Sequence, residues 1–91
     1  MSQLERRRSS IEIIADILRL GQAGKSEIKQ AVNMTYRQLD KYLSILSELK
    51  LVDTATLSNQ SVTYRVTGKG LRLLRNIDSM LEMLWGEEKS R

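Results

Sequence analysis

A short helical segment, a tight break, a longer helical segment and then a stretch of period-two alternation follow one another between residues 26 and 66, and a long apolar-striped helix closes the chain. Helix, turn, helix, hairpin is the building order of a winged helix-turn-helix. The expected fold is therefore mainly α, of the α+β kind: a winged helix-turn-helix with a two-stranded wing and a long C-terminal helix. Ninety-one residues make a single domain. Within it, residues 1–67 form the winged core with a basic N-terminal arm, and residues 68–91 form the C-terminal helix and tail.

The first helix starts at Ser9, which stands three residues before Glu12 in capping-box spacing. Ile11, Ile14 and Leu18, with Ile13, Ile17 and Leu20, make it apolar over much of its circumference, so it is expected to be mostly buried. Gly21 ends it, and residues 21–25 read as a loop. The second helix covers residues 26–32 and points Ile28, Ala31 and Val32 inward; Asn33 suits a left-handed helix end. The third covers residues 35–49. It opens on a second capping box, Thr35 with Gln38, and carries an apolar stripe of Leu39, Leu43 or Tyr42, Leu46 and Leu49.

Residues 51–55 and 62–66 are rich in β-branched side chains, and Val62, Tyr64 and Val66 alternate with Thr63 and Arg65. The polar residues 57–61 between them form the turn of the wing. Thr67 caps the last helix, expected over residues 68–85 and roughly 27 Å long at ~1.5 Å per residue. Leu74, Ile77, Leu81 and Leu84 alternate by three and four as in a coiled-coil seam, and Leu71, Leu73, Met80 and Trp85 widen the stripe. The seam either completes the core of one chain or forms a two-fold interface. The stripe is longer and wider than one small core covers, and its C-terminal half, with Met80, Leu81, Met83, Leu84 and Trp85, needs a partner surface; this favours a homodimer through Leu74, Ile77, Met80, Leu81, Leu84 and Trp85. Arg72, Arg75 and Glu82 fall on outer positions of either heptad register, so charge does not decide strand orientation.

Composition narrows the function classes. There is no Cys and no His, so disulfides, thiolate chemistry and the commonest general base and metal ligand are excluded. No nucleophile–base motif, Gly-rich phosphate loop or metal-ligand cluster appears; Gly68-Lys69-Gly70 is too short for a phosphate loop. The chain reads as a non-enzyme without a cofactor, metal or evident small-molecule ligand. No apolar run reaches membrane-spanning length, and the basic N-terminus lacks the apolar core of a signal peptide, so a cytoplasmic, nucleoid-associated location is expected.

The 41% hydrophobic fraction is ordinary, and a net charge of +4 is modest. The distribution of charge says more. Arg6, Arg7 and Arg8 are consecutive, residues 54–77 hold Arg65, Lys69, Arg72 and Arg75 with no acid, and residues 78–88 are acidic. In a helix-turn-helix the second helix enters the major groove of DNA. Here its first turns offer Thr35, Tyr36, Arg37, Gln38 and Lys41. Arg and Lys match guanine acceptors, Gln matches adenine, and Thr or Tyr suits phosphate oxygens. Arg65 projects from the wing face opposite Val62, Tyr64 and Val66, and the arginine arm suits phosphates or the minor groove. Each of these features also reads as ordinary solvated surface. Asn59 and Gln60 at the wing tip are weaker candidates.

Several segments together carry a family resemblance: residues 8–18 (RSSIEIIADIL), 25–28 (KSEI), 36–43 (YRQLDKYL) and 64–70 (YRVTGKG). They resemble a family of small archaeal winged-helix DNA-binding proteins of the Sulfolobus type, over residues 8–85. The resemblance implies DNA binding by a homodimer, sequence-general or regulatory, with Tyr36, Arg37, Gln38 and Lys41 on the recognition helix. It also implies an antiparallel coiled-coil seam through Leu74, Ile77, Leu81 and Leu84. Two positions depart from the family pattern. Lys50 stands where Gly is frequent, and a left-handed Lys costs about a kcal/mol; and the last helix ends soon after Trp85, which makes any coiled coil short. The expected partners are double-stranded DNA and a second copy of the chain, with no membrane partner. The alternative is a winged-helix module that docks on protein instead of DNA.

Overall fold

A computed structural model describes residues 9–57, 59 and 61–89, with 85–89 described by backbone alone. The chain folds as α1 (Ser10–Arg19), β1 (Gln22–Gly24), α2 (Lys25–Val32), α3 (Tyr36–Glu48), β2 (Val52–Thr56), β3 (Val62–Val66) and α4 (Gly68–Lys89). Arg6, Arg7, Arg8 and Gln60 lie outside the described residues, as does the side chain of Trp85.

Both predicted capping boxes form. Ser9 Oγ accepts from Glu12 N at 3.2 Å, and Glu12 Oε1 accepts from Ser9 N at 3.1 Å. Thr35 Oγ1 accepts from Gln38 N at 3.2 Å, and Gln38 Oε1 accepts from Thr35 N at 3.1 Å. Gly21 takes φ +80° just past α1, and Asn33 ends α2 at φ +56°. Thr67 caps α4 as expected: its Oγ1 accepts from Gly70 N at 3.0 Å while donating toward the Lys50 carbonyl at 2.7 Å.

The sheet differs from the two-stranded expectation. Gln22, Ala23 and Gly24, read from sequence as loop, pair antiparallel with Arg65, Tyr64 and Thr63. The strand order is β1-β3-β2, so β3 is central. A three-residue strand shows no period of its own and is recognisable only through a partner some forty positions away. The last helix reaches Lys89, beyond the expected end near Trp85.

The core gathers Ile17, Leu18, Ile28, Val32, Leu39, Leu43 and Leu46 from the first three helices with Ala23, Leu51 and Val52 from the sheet side. Tyr42, Leu73 and Leu74 pack against it, and Leu43 rather than Tyr42 is the buried member of the α3 stripe. Helix α1 is less buried than its composition implies. Ala15, Ile17 and Leu18 are buried, but Ile11 is 43% exposed, because α2 and α4 cover only part of its circumference. Val62, expected inward, is 45% exposed near the wing turn, where β3 has run past the last residue of β1.

Helix α4 packs along α1, and its Asp78 takes a two-pronged bond from Arg19 Nη1 at 2.9 and 3.2 Å. Ile77 is buried there, while Met80, Met83 and Leu84 stay exposed. No helix is long and apolar enough to cross a membrane.

Candidate nucleic-acid interface

The α2–α3 pair is built by its break. Asn33 in the left-handed region turns the chain, Met34 packs on the core, and Thr35 restarts the helix with a satisfied cap. Leu39, Leu43 and Leu46 then fix the rotation of α3 by burying one face. The opposite face is left exposed, and it carries Arg37, Lys41, Ser44 and Glu48.

Five predicted side chains sit together at the start of α3: Thr35, Tyr36, Arg37, Gln38 and Lys41, all exposed. Two of them have structural duties. Thr35 and Gln38 hold each other in the capping box, so the Gln38 carbonyl oxygen is turned back toward the helix start. Tyr36 keeps 48% of its surface exposed, and the Lys29 ammonium lies 5.2 Å from its ring centroid in cation–π geometry.

The structure adds residues that the sequence pattern did not single out. Lys25 and Lys29 stand four apart on α2, a spacing that places them on one face and was the signal available for finding them. Lys25 Nζ meets Asp40 Oδ1 on α3 at 2.6 Å. That hydrogen bond raises the Lys25 pKa above the ordinary lysine value, against a smaller opposing effect of desolvation. Lys25 is therefore charged at any pH near neutrality, and its attraction to Asp40 is lost only as pH rises through that raised value. A groove of about 570 Å³ runs beside this pair, between α3 and the sheet, lined by Asp40, Ser44, Ser47, Thr54 and Tyr64.

Arg65 is not brought to this cluster. Tyr64 packs on the core, so by strand alternation Arg65 points from the other face of the sheet. It is exposed, paired in register with Asp53 on one side and Gln22 on the other, and its Nε lies 3.3 Å from Asp53 Oδ1. That places it on the three-stranded base of the wing, away from the tip. At the tip, Asn59 Oδ1 accepts from Ser61 N at 3.1 Å and closes the turn.

The predicted seam divides along α4. Leu74 packs on the core of its own chain and Ile77 is buried, whereas Leu81 is half-buried and Met80, Met83 and Leu84 are open. Met83, expected among the residues left for a partner, is 81% exposed. Among the described residues, no group of three His, Cys, Asp or Glu is placed to hold a metal ion.

A fold of three helices, a three-stranded sheet with a hairpin wing, and a long closing helix defines a winged helix. The chain belongs to the winged helix-turn-helix family, whose profile matches residues 7–84. No curated protein gives a significant sequence match. Among solved structures, the chain is similar to Sso10a-2, a DNA-binding protein from Sulfolobus solfataricus: TM-score 0.78, 24% identity, 91% of this chain and 88% of that one. It is also similar to a MepR variant of S. aureus bound to an oligodeoxyribonucleotide (TM-score 0.71, 17% identity, 98% and 67% covered). A MarR variant from E. coli complexed with operator DNA aligns at TM-score 0.68 and 17% identity, with 96% and 61% covered.

Proposed function

We propose that the protein binds duplex DNA as a homodimer, with α3 in the major groove, and acts as a transcriptional regulator or a chromatin-associated protein in the nucleoid. The observation that carries this reading is the exposed face of α3. Arg37 and Lys41 stand on it opposite the buried Leu39, Leu43 and Leu46, flanked by Lys29 and Tyr36. Rigid presentation of donors beside a capped helix start suits base edges and phosphates. The DNA-binding neighbours named above support the same reading. Arg6, Arg7 and Arg8 lead into Ser9, and Ser10 accepts from the Tyr42 hydroxyl on α3 at 3.1 Å. The arginine arm just before Ser9 in the sequence supplies further positive charges for phosphate contacts. Arg65, on the other face of the sheet and paired with Asp53, lies outside this surface.

The second copy covers the free end of α4. Met80, Met83 and Leu84 form an apolar surface that the chain's own core leaves open, continuous with the half-buried Leu81. Pairing two such helices sets two copies of α3 against one duplex, ideally one helical turn or a multiple of it apart.

Fluorescence anisotropy with candidate and random duplexes across a salt series tests this. Binding is expected at low salt, with the logarithm of affinity falling by about 0.9 per phosphate neutralised for each decade of salt. Equal affinity for all duplexes marks a chromatin role, and strong preference marks a regulator. Absence of binding to any duplex would sink the DNA reading in favour of a protein-docking module. Ile45, 50% exposed on α3 beside an apolar groove with Ile14 and Tyr42, is the feature that module would use.

A further inference from the structure

Asp40 is the one carboxylate in the first two turns of α3. It stands three residues from Arg37 and one from Lys41, and its side chain is 55% exposed. A negative charge on the flank of α3 beside Arg37 and Lys41 weakens attraction to any polyanion. Fold stability does not account for it, since its carboxylate is held by an ion pair with Lys25, two exposed side chains whose pairing adds little.

We propose that Asp40 is a specificity-determining residue, resting on DNA binding through α3. In the free protein Lys25 holds the carboxylate. On a matching duplex Lys25 turns to a backbone phosphate, and Asp40 accepts a hydrogen bond from the 4-amino group of a cytosine in the major groove.

The chemistry on each side fits. An ionised carboxylate is an acceptor only. Cytosine presents an amino donor in the major groove, whereas adenine sets its amino donor beside the N7 lone pair that repels the second carboxylate oxygen, guanine presents two acceptors and thymine a carbonyl oxygen. Against guanine or thymine the carboxylate faces lone pairs and has no partner. Arg37 and Lys41, a donor fork and an ammonium, suit the guanine acceptors that Asp40 rejects. The first two turns of α3 thus hold both halves of the code for a site rich in G·C pairs. Lys25 is free to change partners because its charge sits on a flexible four-carbon stem. It lies at the start of α2, the helix that crosses the phosphate backbone in helix-turn-helix docking.

The test is selection of bound sequences from a random duplex pool, with salt-series anisotropy, for the wild-type chain, Asp40→Asn and Lys25→Met. The wild type is expected to enrich cytosine at a fixed position. Asp40→Asn should lose that preference, a discrimination of roughly 5- to 100-fold at one base pair, and should bind random duplex more tightly than the wild type. Lys25→Met should keep the preference and lower the salt slope by about 0.9. Wild-type binding without any base preference overturns the proposal. So does an Asp40→Asn profile identical to that of the wild type, including the case where its melting temperature falls, which assigns the pair to structure alone. A wild type that binds no duplex removes the DNA reading itself, and that outcome is distinct because it appears before any variant is compared.

Discussion

Lys50 lies at φ +63°, just past α3, where left-handed backbone strains any side chain with a Cβ. Two hydrogen bonds hold it there: Lys50 N to the Ser47 carbonyl at 3.0 Å and Leu51 N to the Leu46 carbonyl at 2.8 Å. These are the two bonds of a Schellman motif, and the accompanying apolar contact is between Leu46 and Leu51, both buried in the core. The strain expected from the sequence is therefore real and outweighed. Lys50→Gly should stabilise the fold by about 0.5–1 kcal/mol, the relief of left-handed strain less the added freedom of the unfolded chain. Thermal denaturation should show a rise of a few degrees; no rise would mean the motif imposes no net strain. Gly70 is the opposite case. A Cβ there would collide with the Leu51 carbonyl oxygen and come within 2.7 Å of Val66 Cγ2. Gly70→Ala should cost about 1–3 kcal/mol by forcing α4 away from Leu51 and β3, read as a lower denaturation midpoint.

Among the elements, α3 has one face committed to the core and another free for a ligand, so the two can be changed separately. Arg37→Ala with Lys41→Ala should leave the helical circular dichroism and melting temperature near wild type. DNA affinity should fall by roughly 1–3 kcal/mol for each base edge that the truncated side chains no longer reach. Unchanged affinity would mean that α3 does not read the duplex. Packing, more than charge, holds α1 against α4. Arg19 and Asp78 are each about half exposed (side chains 50% and 46%), and their hydrogen bond raises the Arg19 pKa. Solvent screening keeps such a pair small, so Asp78→Asn should lower stability by no more than about 1 kcal/mol in denaturant titration. A larger loss would show that the pair, and not the burial of Ile77, sets the position of α4.

The whole molecule is elongated, with principal extents of 49 × 28 × 19 Å. Its radius of gyration is 14.6 Å, against about 12 Å for a compact domain of this length. A small domain that extends a helix beyond its own core exposes apolar surface that a partner can cover. Met83→Asp with Leu84→Asp tests the pairing cleanly, because both side chains are exposed within the protomer and their replacement spares the core. Sedimentation should then report a monomer with an unaltered circular dichroism spectrum. A persistent dimer would place the interface elsewhere.

Local patterns in the sequence determined the helices, both capping boxes, the left-handed turn at Asn33, the hairpin and the cluster at the start of α3. Each of these depends on residues within a few positions of one another, where periodicity and capping chemistry act directly. Tertiary structure alone decided the rest. Strand β1 exists because β3 offers it hydrogen bonds, and Arg65 sits at the wing base because β3 is central. The coiled-coil pattern of α4 was legible, as was the surplus of its C-terminal half over the core, but not that the boundary falls between the buried Ile77 and the exposed Met80. The apolar stripe states that a surface must be buried; which part its own chain buries depends on where α1 ends and the core stops. Likewise, Lys25 and Asp40 are fifteen residues apart in sequence and meet only because α2 packs beside α3.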